Sequence, residues 1–308
     1  MESVKAISDE RLSGELKEVL KKKRISCIAF DLDRTLLNAE GRLSDRTRRT
    51  MDAAAARGIE LAAASGRPFC ALPREVLGEE SIHYAIVSNG AAIYQIFHKA
   101  DRGNFGVRIK TWTIAPSDVE KILEMTGPSY AADEISYEVS ADGIAYAQAS
   151  YLSRLPEFGF APKGVLYTRS TRHAVPDIFA LIQENHFRIE SLNIVMKDSR
   201  RRAGLSKQLD DSLPGIYVTS SSSNRIEISN CSASKDGALA FLLEKLRMDP
   251  LELLAFGDGE NDADMLEFAG IGVAVSNAVP ECREAADFIC PSHDADGPAQ
   301  VIELCCNQ

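Results

Sequence analysis

Four short apolar runs in this chain each break off into a polar cluster. The first leads into Asp31-Leu32-Asp33-Arg34-Thr35 and the second into Ser65-Gly66-Arg67. The third leads into Ser88-Asn89-Gly90 and the fourth into Gly257-Asp258-Gly259-Glu260-Asn261-Asp262. Residues two apart on a strand project to the same side, so Asp31 and Asp33 are expected to be neighbours. Like charges that close repel and raise a pKa unless a cation lies between them. Asp258 and Asp262 add negative charge if their run lies alongside. Several convergent carboxylate oxygens suit Mg²⁺. One carboxylate can then act as nucleophile and another as acid or base. Taken singly, Asp-x-Asp is also a surface turn and the Gly-Asp-Gly-Glu-Asn-Asp stretch a polar loop. Their shared position after apolar runs is what favours a site.

Other candidates are weaker alone. Ser65 can donate to a phosphate oxygen beside backbone N–H groups, or it can be a cap or turn former. Lys235, just before a helix, is either a solvated lysine or a buried cation offsetting phosphate and carboxylate charge. Arg67 is either a substrate or insert contact or a salt bridge ordering its loop. The five histidines have no catalytic or metal-binding spacing. Trp112 is expected to pack in the insert or at its hinge.

These clusters need a scaffold. The runs at residues 26–33, 59–65, 84–90, 251–258 and 271–277 are almost continuously apolar, as strands buried on both faces are. Helices are expected between them: one capped by Ser44 and ending near Gly58, one from Ser234 to Leu246, one from Asn261 to Ala269. Alternation of this kind predicts an α/β fold with a Rossmann-like, doubly wound parallel-sheet core. Between residues 92 and 229 it stops. A hairpin about Asp142-Gly143, helices near 117–125, 176–186 and 199–211, and three further strands predict an α+β insertion. The expected domains are a core of 25–91 and 230–308 and a cap of 92–229. A helical extension at 1–24 precedes them, with Leu12, Leu16, Val19 and Leu20 on one face. It lies on the body or on a neighbouring subunit.

Composition narrows the function. The 308 residues suit two domains at about 150 each. With 45 acidic and 35 basic residues the net charge is −10, which argues against a broad nucleic-acid or anionic-membrane surface. No signal-like or membrane-spanning run is present. Seven cysteines fit no disulfide or zinc framework, and the adjacent Cys305 and Cys306 are weak evidence for metal. Free thiols point to a reducing cytoplasm.

The stretches Phe-Asp-Leu-Asp-Arg-Thr-Leu-Leu (30–37), Ala-Ser-Gly-Arg-Pro (64–68), Val-Ser-Asn-Gly-Ala (87–91), Ser-Ala-Ser-Lys-Asp-Gly (232–237) and Gly-Asp-Gly-Glu-Asn-Asp-Ala-Asp (257–264) resemble the motifs of haloacid dehalogenase-superfamily phosphatases. Their order and spacing are similar to the Cof-type, type IIB branch, over about residues 25–300. The resemblance implies an Mg²⁺-dependent phosphatase of small phosphorylated metabolites, sugar phosphates favoured, acting through an aspartyl-phosphate. It implies Asp31 as nucleophile and Asp33 as acid and base. Ser65 and Lys235 would hold the phosphoryl group, with Gly66, Arg67, Asn89, Gly90 and Asn261 around it. Mg²⁺ would take Asp31, the Asp33 carbonyl and Asp258, with Asp262 outside or bound through water. A phosphomutase, or a non-catalytic ligand-binding protein retaining the fold, is the alternative. Monomer and homodimer both fit. One position departs: the family's usual glycine after the second aspartate is Arg34. Arginine there either crowds the loop, takes an ordinary backbone conformation, or reaches a phosphate or cap acid.

Overall fold

The computed structural model describes residues 9–98, 105–127, 133–220 and 222–306. In chain order its first strands are β1 (Cys27–Phe30), β2 (Glu60–Ala64), β3 (Ile82–Val87), β4 (Ala92–Phe97) and β5 (Phe105–Thr111). Next come β6 (Ile135–Ala141), β7 (Ile144–Gln148), β8 (His173–Val175), β9 (Ile189–Met196), β10 (Ile216–Thr219) and β11 (Arg225–Asn230). The chain then returns as β12 (Leu253–Gly257), β13 (Ile271–Val275) and β14 (Phe288–Cys290).

One eight-stranded sheet has the order β14-β13-β12-β1-β2-β3-β4-β5. From β14 to β3 neighbouring strands are parallel. Every residue of β1, β12 and β13 is buried, which is what their unbroken apolar runs require of a sheet covered on both faces. Helices Asp45–Ala55 and Gly297–Cys306 pack together, as do Lys235–Leu246 and Ala263–Phe268. Ser44 caps the first of these by accepting from the Thr47 amide, as its sequence predicts. Strand order reverses between β1 and β12. That switch point opens a crevice beyond their carboxyl ends, where Asp31 and Asp258 sit.

A second, six-stranded sheet has the order β10-β11-β9-β6-β7-β8. The expected hairpin is there, with Asp142 at φ 52° and Gly143 at φ 77°. Helices Pro116–Thr126, Ile178–Asn185 and Arg202–Ser212 bury Ile122, Ile182 and Leu209 in a cluster with Tyr137, Leu192 and Ile228. A smaller cluster of Tyr151, Leu155, Phe158 and Val195 accompanies it.

Sheet membership differs from the expected break at residue 92. β4 and β5 extend the first sheet, β4 pairing antiparallel with β3 and β5 antiparallel with β4. The second sheet starts only after Thr111. Residues 92–97 are mostly apolar, as the strands of both sheets are, so composition carries no mark of their pairing partner. Trp112 lies at this crossing and meets Phe241 of the core edge to face, with ring centroids 5.8 Å apart. The N-terminal helix Asp9–Lys22 lies on the body, with Leu16 and Leu20 buried and Val19 partly so. The side chain of Leu12 lies outside the described residues. Among the described residues, no helix is long and apolar enough to cross a membrane.

Candidate active site

The chain leaves β1 at Phe30, and the Asp31 amide still donates to the Phe256 carbonyl of β12 at 2.9 Å. This last ladder bond fixes Asp31 between the two central strands. Among the described residues, carboxylate oxygens of Asp31, Asp258 and Asp262 lie within 4.8 Å of one another, all three side chains being buried. Lys235 Nζ sits in the cluster, donating to Asp31 Oδ1 at 2.8 Å and to Asp262 Oδ1 at 2.6 Å. Its side chain is 1% exposed. Ser234 places it by capping the helix that Lys235 begins.

Charge explains the local titration. Burial, together with the Asp262, Asp258 and Asp33 charges, pushes the Asp31 carboxyl well above the ordinary range against the pull of Lys235. Burial and then Asp262 push Asp258 up to about 6, with Arg34, Lys235 and Thr35 opposing. For Lys235 burial acts downward, but the Asp262 and Asp31 carboxylates outweigh it and hold the ammonium above its usual value. Three crowded carboxylates facing one lysine leave an excess of negative charge. Their donors are hard oxygens, so a divalent cation such as Mg²⁺ fits the cluster. Asp262 differs from the other two. Its Oδ1 takes Lys235, and its Oδ2 accepts the amides of Asp258 and Gly259 at 3.0 and 2.9 Å. It therefore shapes the Gly257–Asp262 loop and places Lys235.

Asp33 is not in this cluster, contrary to the expectation of two aspartates side by side. The strand ends at Phe30, so alternation does not carry through residues 31–33. The Asp33 side chain is 51% exposed and gripped by Arg67, at 2.5 Å from Nη2 to Oδ1 and 2.6 Å from Nε to Oδ2. Arg67 also donates to the Ala71 carbonyl at 3.0 Å. Its guanidinium lies 4.5 Å from the ring centroid of Tyr167, in the insert helix Pro162–Thr171. The two readings of Arg67 thus merge, since one side chain pairs with Asp33 and touches the insert.

Ser65 is buried, and its hydroxyl oxygen accepts the Arg67 amide at 3.2 Å. Facing it, Ser88, Asn89 and Gly90 turn with φ 51°, 55° and 99°. The Asn89 amide donates to the Ser65 carbonyl at 3.1 Å. Asn89 Nδ2 donates to Glu227 of β11 at 2.6 Å, and Asn89 Oδ1 accepts from Asn261 at 2.8 Å. A Cβ at Gly66 would meet Asn89 Oδ1 at 2.9 Å, so a side chain there would push on the Asn89 amide. At Gly90 a Cβ would overlap the Ser234 carbonyl. All the residues expected at the site thus converge on this crevice, although Asn89 and Asn261 spend these side-chain atoms on each other and on Glu227.

Thr35, Glu227, Tyr167 and Asn277 escaped sequence reading. Thr35 Oγ1 donates to Asp258 Oδ1 at 3.2 Å. A signal for Glu227 was available: it is the acidic member of the alternating stretch Arg225-Ile226-Glu227-Ile228-Ser229. Arg34 overturns one expectation, for it takes φ 63°, the left-handed conformation that favours glycine, and not an ordinary one.

Comparison with known proteins agrees with this geometry. A family model for haloacid dehalogenase-like hydrolases matches residues 28–302. Phosphatase YwpJ of Bacillus subtilis is 26% identical over 288 residues, covering 90% of this chain and 98% of YwpJ. The 5-amino-6-(5-phospho-D-ribitylamino)uracil phosphatase YcsE of the same organism is 26% identical over 278 residues, covering 90% and 94%. A haloacid dehalogenase-like hydrolase from B. subtilis shares the fold with a TM-score of 0.74 at 24% identity, over 91% of this chain and 99% of that one. Motifs, fold and family model coincide over nearly the whole length, and the chain belongs to the haloacid dehalogenase-like hydrolases as a phosphoric monoester hydrolase.

Proposed function

We propose that the protein is an Mg²⁺-dependent phosphatase of a small phosphorylated metabolite, sugar phosphates favoured, working through an aspartyl-phosphate. The observation that carries this reading is the buried Asp31 carboxylate, held by Lys235 beside Asp258 at the switch point of the sheet. Asp31, the Asp33 carbonyl and Asp258 would hold the cation, which when bound shields negative charge and keeps the nucleophile ionised.

The chain's own groups do the rest. An Asp31 oxygen attacks the phosphorus, and the bond from phosphorus to the leaving oxygen breaks. Asp33 gives its proton to that oxygen. Asp33 then takes a proton from water as the water oxygen attacks the same phosphorus. The bond to Asp31 breaks, and phosphate leaves. Such transfer depends on alignment and charge neutralisation. Lys235 and the Ser65 hydroxyl supply neutralisation from the core. Arg67 fixes the orientation of Asp33 and, through Tyr167, ties that orientation to the position of the cap. Seven free cysteines suit a reducing cytoplasm.

The test is phosphate release from a panel of phosphorylated metabolites and an aryl phosphate. It is run with Mg²⁺, with chelator, and with Asp31→Asn. Turnover should need both the ion and Asp31, with the variant reduced by at least about 10³-fold. Folded protein that binds these ligands without turnover would instead mark a non-catalytic member. Return of the phosphoryl group to a sugar hydroxyl would mark a mutase.

A further inference from the structure

Arg34 is held in place by a neighbour from a different strand end. Asn277 Nδ2 donates to the Arg34 carbonyl at 2.9 Å, and Arg34 Nη2 donates to the Asn277 carbonyl at 3.3 Å. Asn277 is itself fixed, since its Oδ1 accepts the His293 amide at 3.1 Å. This clamp accompanies the left-handed φ of 63° at Arg34. It leaves Arg34 Nε 3.7 Å from Asp258 Oδ2, while the other oxygen of Asp258 takes the Thr35 hydroxyl. The carboxylate is thus flanked by a cation before any metal arrives.

We propose that Arg34 is a built-in rival for Asp258 that lowers this chain's affinity for a divalent cation. The inference rests on the proposed cation site at Asp31 and Asp258. A dication bound to Asp258 shares the carboxylate with the guanidinium and is repelled by it. With glycine at position 34 the same carboxylate would face the ion without this guanidinium beside it. The Arg34 side chain is 62% exposed, so water and salt weaken the repulsion. The effect is therefore modest, and it shrinks as ionic strength rises. An enzyme built this way fills its site at higher free Mg²⁺ than one with glycine there.

Calorimetric titration of Mg²⁺ into the full chain, with no substrate present, tests this. Four variants are compared with the parent at low and high salt, each checked for folding by circular dichroism. Arg34→Gly and Arg34→Met should both bind Mg²⁺ about fivefold more tightly at low salt. The methionine keeps a long side chain at the strained position but no charge. Arg34→Lys keeps the charge and should stay near the parent, and the gap should narrow at high salt. Uncharged variants that bind no tighter would overturn the proposal. So would tightening by Arg34→Gly alone, or a gap indifferent to salt, since either assigns the effect to the backbone. Asp258→Asn separates the two readings. If it binds Mg²⁺ as the parent does, the cation site itself is misplaced.

Discussion

Lys235 holds two carboxylates that would otherwise repel each other, so one side chain bears on stability and on the proposed chemistry. Asp31 and Asp262 accept from it at 2.8 and 2.6 Å, and all three side chains are buried. Removing one partner of a buried ion pair leaves an uncompensated charge, at a cost of about 3–5 kcal/mol. Lys235→Met should therefore lower the denaturation midpoint in chelator and abolish turnover. Added Mg²⁺ should restore part of the lost stability, because an ion that binds only the folded chain stabilises it. A midpoint unmoved in chelator would show that the ammonium does not offset these charges.

Two elements show how backbone geometry and buried charge set the limits of substitution. The Ser88-Asn89-Gly90 turn presses against the start of the Lys235 helix, where a Cβ at Gly90 would overlap the Ser234 carbonyl. Gly90 also has φ 99°, which disfavours any side chain. Gly90→Ala should destabilise by about 2 kcal/mol or more and reduce kcat by displacing Lys235. Calorimetry and phosphate release would read both effects. In the cap, Glu138 on β6 is bound by Arg172 at 2.8 Å, by Arg225 at 3.1 Å and by the Tyr151 hydroxyl at 2.9 Å. Burial alone would raise its pKa, but the two guanidiniums outweigh it and lower it from 4.5 to about 2. A folded value below the unfolded one means stabilisation that is complete above pH 4.5 and lost as pH falls toward about 2. Glu138→Gln should cost about 3 kcal/mol at neutral pH and flatten the acid dependence across that window. Urea midpoints measured from pH 2 to 7 would reveal a slope that persists, and that result would refute the assignment.

Across the whole molecule, the cap has an apolar core of its own and meets the catalytic sheet through polar contacts. Lys163 donates to the Ala39 carbonyl, and the Cys70 amide donates to Gly143 of the cap hairpin at 3.0 Å. Arg108 of β5 pairs with Asp142 at 2.8 Å and with the fully buried Glu190 at 3.0 Å. Such joints open at lower free energy than packed cores do. Arg108→Met should leave Glu190 without its cation and raise hydrogen exchange at residues 141–144 by about tenfold or more. Exchange in β1 and β12 should stay at the parent rate. Equal acceleration of all these strands would mean that cap and core unfold as one unit.

The sequence by itself determined the central strands, the helices between them and most of the site, because each rests on local chemistry. A strand buried on both faces must be apolar throughout, as at Leu253–Gly257, and a helix start is marked by its cap, as at Ser44 and Ser234. The Asp142-Gly143 turn was legible because few residues accept two successive positive φ angles. Pairing partners were not legible. Nothing within residues 92–97 and 105–111 says that they join the first sheet, since strand partners are chosen by distant segments. The pairing of Asp33 with Arg67 was not legible for the same reason. Only the folded chain brings Arg67 from the end of β2 to Asp33 beyond β1, and Tyr167 from the insert onto Arg67. Arg34 was visible as a departure in the sequence. Its left-handed backbone and its place beside Asp258 appear only in the folded chain, where Asn277, 243 residues away along the chain, clamps it.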